Sequence, residues 1–86
     1  MVYEYGTLKK ELFTEEGLNI LLRVRDNAMH LLKTAGAFTA GKAFENVSGN
    51  TWTMLAALDY LVERGEIRCV THALATSGQN RVFVAG

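Results

Sequence analysis

The sequence predicts a single α+β domain, residues 1–86, in which three helices precede a two-stranded β-hairpin. Three observations carry this expectation. Residues 14–36 place apolar side chains at helical spacing. A second helical stretch, "NTWTMLAALDYLVERG", runs directly into alternating residues. "EIRCVT" and "RVFVA" then alternate as strands on either side of the loop "HALATSGQN".

Residues 1–13 form an N-terminal arm. "VYEY" alternates like a short strand, while "LKKELF" suits a helix, and the two readings stay open. The arm is expected to pack on the domain through Tyr3, Tyr5, Leu12 and Phe13.

Thr14 offers a side-chain oxygen to cap the first helix, and Glu15 and Glu16 follow where the helix dipole favours acid. Gly36 ends this helix, because glycine adopts the left-handed conformation without strain. At about 100° per residue, the apolar side chains from Leu18 to Ala35 cover roughly 200° of the wheel. An ordinary surface helix needs a stripe little wider than ~100°. The first helix is therefore expected to pack on two sides, the core and a second copy of the chain, with Ile20, Val24 and Leu31 in the dimer interface. Arg25 falls inside the apolar arc. It either makes an ion pair between subunits or lays its stem along the surface with its head in water.

Thr39 caps the second helix, residues 39–47, in which Ala43, Phe44 and Val47 share a face. Ser48 and Gly49 make a turn. Asn50 or Thr51 caps the third helix, residues 50–64, and Gly65 ends it. Met54, Leu55, Leu58, Leu61 and Val62 fall on its core face. The two strands lie within residues 66–85.

"FTAGKAFENVSGNTWTMLAALDYLVERGEI" resembles the helix-turn-helix core of the winged-helix superfamily. The resemblance covers about residues 18–85, through small Ala43, the turn at Ser48 and Gly49, and "ALDYLVERGEI" leading into a two-stranded wing. It implies that the helix after the turn reads DNA and the wing touches the backbone. Those positions would be Asn50, Thr51, Trp52, Thr53 and Ala56 on the helix, and His72, Ala73, Ser77, Gln79 and Arg81 around the wing.

The charges depart from that pattern. From Val47 through Glu63 there is no Lys or Arg. Nine Lys and Arg balance nine Asp and Glu across the chain. Non-specific DNA affinity comes mainly from phosphate neutralisation, so a flat balance weakens the expectation of nucleic acid. Only Lys42, Arg68 and Arg81 are well placed for a duplex backbone. Opposite the core face, Trp52, Ala56 and Tyr60 sit at i, i+4 and i+8 and form a stripe. Aromatic residues of this kind are enriched at binding hot spots. Alternatively, Trp52 folds over the preceding helix and Tyr60 packs on the wing or the arm.

Other classes find little support. Hydrophobic residues make up 49% and charged residues 21%, enough for a packed core. No apolar run approaches the ~18 residues of a membrane span. The N-terminus has no signal-peptide pattern. The lone Cys69 fits a reducing, cytoplasmic setting. Cys69 and His72 have a C-x-x-H spacing, but two ligands do not make a zinc site, and His30 lies on a distant helix. No metal or cofactor is expected. No Ser/His/Asp grouping, carboxylate pair or glycine-rich phosphate loop marks an enzyme. The leading expectation is thus a homodimeric DNA-binding regulator. The alternative is an interaction module that binds protein through the Trp52/Tyr60 face without DNA.

Overall fold

Helix caps organise the chain in the computed structural model, which describes residues 5–70 and 81–86. Tyr3, His72, Ala73, Ser77 and Gln79 lie outside the described residues. The N-terminal segment starts with a single helical turn, α1 (Tyr5–Leu8), and continues as a 3-10 turn (Lys9–Phe13). The arm is helical from Tyr5 onward, not a strand there. Thr14 then caps α2 (Glu15–Ala35) by accepting a hydrogen bond from the Gly17 N–H at 3.0 Å. Gly36 closes α2 in the left-handed region, at φ 80°, and its N–H donates to the Leu32 carbonyl.

Three residues of extended backbone follow as β1 (Ala37–Thr39). Thr39 caps the short α3 (Ala40–Ala43). The helix expected over residues 39–47 is therefore much shorter. Asn46 takes a positive φ of 64°, which an α-helix cannot contain. Asn50 caps α4 (Thr51–Glu63), its side chain accepting from the Trp52 N–H at 2.8 Å. The last strands are β2 (Ile67–Cys69) and β3 (Val82–Ala85).

The sheet has three antiparallel strands in the order β1-β3-β2, where two were expected. β3 is its centre. Phe83 is the register partner of both Phe38 and Cys69. The Phe38 and Phe83 rings stack at 5.5 Å, and both side chains are buried. One face of the sheet thereby joins the core formed by α2 and α4.

Helix α4 passes through the middle of the molecule. It packs against α2, the N-terminal segment and β2. Met54, Leu58 and Leu61 are buried as a core face should be. Thr53, Ala56 and Ala57 are buried as well. Alanine and threonine are small enough to let neighbouring elements close over what would otherwise be an outer face. The N-terminal segment does this partly through Leu12, which is fully buried.

Candidate functional site: the outer faces of α4 and α2

The expected Trp52, Ala56 and Tyr60 stripe is not one surface. Steps of four residues advance about 40° around a helix, so the stripe winds across α4. Ala56 is 0% and Thr53 8% exposed, which corrects their expected outward placement. Tyr60 has turned toward the N-terminal segment. Its ring meets Phe13 edge-on, with centroids 5.7 Å apart. The Lys9 ammonium and the Arg64 guanidinium lie 6.0 and 5.7 Å from its centroid.

Trp52 is half-buried. The residues that share its direction on the wheel are Asp59 and Glu63, at i+7 and i+11, and both are acids. Glu63 accepts hydrogen bonds from the Tyr5 hydroxyl and from Lys9 Nζ, the latter at 2.8 Å. The bond from Lys9, and then that from Tyr5, hold the Glu63 carboxyl below its ordinary range. Burial, followed by the bond to Glu63, raises the Tyr5 hydroxyl, so it remains a donor. Asp59 pairs with Arg81 at 3.0 Å, and each side chain is only 18% exposed.

Of the three cations expected on a duplex backbone, two sit beside acids. Arg81 turns inward, toward Asp59 and over the Phe83 ring at 5.1 Å. Lys42 lies beside Glu45 at 3.2 Å. Arg68 is exposed on β2. Asn50 and Thr51 are exposed at the start of α4, where the expected reading helix would begin. Arg25 meets Glu66 of its own chain at 2.8 Å, and Arg64 meets the same carboxylate at 3.0 Å. The Arg25 bond and then that from Arg64 lower the Glu66 carboxyl against an opposing effect of burial.

Helix α2 presents the second surface. Ile20 and Val24, expected in a dimer interface, are 3% and 0% exposed and belong to the core of the single chain. Leu31 is half-buried. The exposed apolar residues lie elsewhere. Phe13 is 55%, Leu18 41% and Leu22 56% exposed. Sequence reasoning missed these three as surface. One signal was present: buried Gly17 and Ala28 share the Val24 side of α2. Small residues mark the side where another element approaches closely, which leaves the Leu18 side outermost.

A cleft of 210 Å³ opens between the start of α2 and the start of α4, lined by Glu11, Thr14, Glu16, Gly17, Ile20, Asn50 and Thr53. It contains no histidine, cysteine or cation. Among the described residues, no group of three or more His, Cys, Asp or Glu is placed to hold a metal ion. No described helix is long and apolar enough to cross a membrane.

Comparison of the chain with protein-family models, curated proteins and solved structures finds no match.

Proposed function

We propose that this chain is a cytoplasmic winged-helix interaction module that binds protein, with no enzymatic activity, cofactor or DNA-reading helix. The winged-helix reading is supported by the order α2, α3, turn, α4, then β2 and β3. In that scheme α4 would be the reading helix. One observation carries the choice against DNA. Thr53 and Ala56, which would face bases, are buried, and the side of α4 that Trp52 shares carries Glu63, which is exposed, and Asp59, which is largely covered and paired with Arg81. That side of α4 offers phosphate no cation of its own. Two of the three cations expected on a duplex backbone sit beside acids. A duplex would gain little counterion release from such a surface.

Trp52 is the only tryptophan, so its fluorescence reports on the start of α4 alone. Titration with mixed-sequence duplex at low and moderate salt should leave the signal unchanged, and a mobility assay should show no complex. A response that weakens with added salt would return α4 to DNA reading and overturn the proposal.

A further inference from the structure

Resting on that reading, we infer that the module's partner is a second copy of this chain, docked antiparallel along the exposed edge of α2. The edge is built from Leu18, Leu22, Arg25 and Met29. Their spacing of four, three and four residues is the one that packs two helices side by side. Leu18 and Leu22 are 41% and 56% exposed, and Met29 is half-buried. Phe13, just before the capping Thr14, is also exposed, at 55%. Arg25 pairs with Glu66 of its own chain, which balances its charge within the seam.

Charge selects the occupant and its direction. Glu15 and Lys33 flank the seam on the same side. They are 18 residues apart, which is five turns of helix, or about 27 Å. Their midpoint falls at residue 24, inside the seam. A two-fold axis through that midpoint sets Glu15 of each copy against Lys33 of the other, twice over. It also sets the two helix dipoles antiparallel. A parallel two-fold pair would instead leave the two Glu15 side chains on opposite sides of the seam and Lys33 far along it, so neither ion pair could form. The surface is thus complementary to itself in one orientation, and a two-fold contact closes at the dimer.

Sedimentation velocity on the whole chain tests this. The unaltered protein should form a dimer at tens of micromolar. Leu22→Glu should raise the dimer dissociation constant about tenfold or more. Because Leu22 is exposed, its far-UV circular dichroism should stay that of the unaltered chain. Glu15→Lys should weaken the dimer, and Glu15→Lys with Lys33→Glu should restore it. Restoration is specific to the antiparallel register, since a parallel pair never brings residue 15 of one copy to residue 33 of the other. A monomer at several hundred micromolar would overturn the inference, as would a dimer indifferent to Leu22→Glu or a double swap that fails to restore association. Duplex binding in the Trp52 titration would instead overturn the functional reading and leave the dimer to stand or fall on sedimentation.

Discussion

Gly17 shows how one missing side chain fixes an arrangement. It sits in the first turn of α2, where alanine is ordinarily better than glycine by about 1 kcal/mol. Here a Cβ would lie 1.7 Å from the Glu11 carbonyl oxygen. That contact is with backbone, so the 3-10 turn would have to move, and the buried Leu12 with it. Gly17→Ala is therefore expected to destabilise by about 1–3 kcal/mol, as overpacking does, despite its better helix propensity. Gly6 supplies the contrast. It lies in α1 with nothing within 4 Å of its would-be Cβ. Gly6→Ala should be neutral or slightly stabilising. Thermal melts of the two variants should move in opposite directions or differ clearly in size. A higher melting temperature for Gly17→Ala would mean that the N-terminal turn does not approach α2 so closely.

Among elements, the N-terminal segment is held against α4 at a point where charge and aromatic packing meet. Glu63 receives Tyr5 and Lys9, while Tyr60 receives Phe13. Glu63 titrates below its ordinary value of 4.5 in the folded chain. Its contribution is therefore complete above that value and is lost as pH falls through the lower, folded value. Glu66 has the same sign, through Arg25 and Arg64. Stability should fall on acidification below the ordinary carboxylate range, and Glu63→Gln should flatten part of that fall. Melts at neutral and acid pH check this; an identical acid response in both proteins would remove Glu63 from the account. The same elements show what the sequence reveals. Caps at Thr14, Thr39 and Asn50 and stops at Gly36 and Gly65 are local chemistry, and they mark three of the helix starts and two of the ends. β1 was not legible because three residues, "AFT", carry too little alternation, and its strand character comes from pairing with residues far along the chain. The outer faces were misjudged for a similar reason. A helical wheel tells which residues are apolar, but α2 has more apolar arc than one neighbour can cover. Which edge stays outside depends on where the N-terminal segment and α4 lie. Likewise Ala56 reads as a neutral outward residue until Leu12 and its turn close over that region.

At the scale of the whole molecule, β3 holds distant parts of the chain together. It lies between β1, which follows α2, and β2, which follows α4. Phe83 is fully buried at its centre and stacks on Phe38. A domain of 86 residues has a net stability of about 4–13 kcal/mol, at roughly 0.05–0.15 kcal/mol per residue. Deleting a buried phenylalanine ring typically costs about 3–5 kcal/mol, part of it from the cavity left behind. Phe83→Ala should therefore consume a large share of the total. Its urea midpoint should drop by about a quarter or more, with the slope unchanged if unfolding remains two-state. Leu22→Ala should behave differently, since Leu22 is 56% exposed within one chain. In dilute solution its midpoint should match the unaltered protein. At higher concentration it should fall behind, because association adds stability only to a chain that can dimerise. Urea titrations at two protein concentrations thus separate a residue that holds the fold from one that holds a partner. A midpoint unmoved by Phe83→Ala would place β3 outside the core and undo the sheet that joins the two halves of the chain.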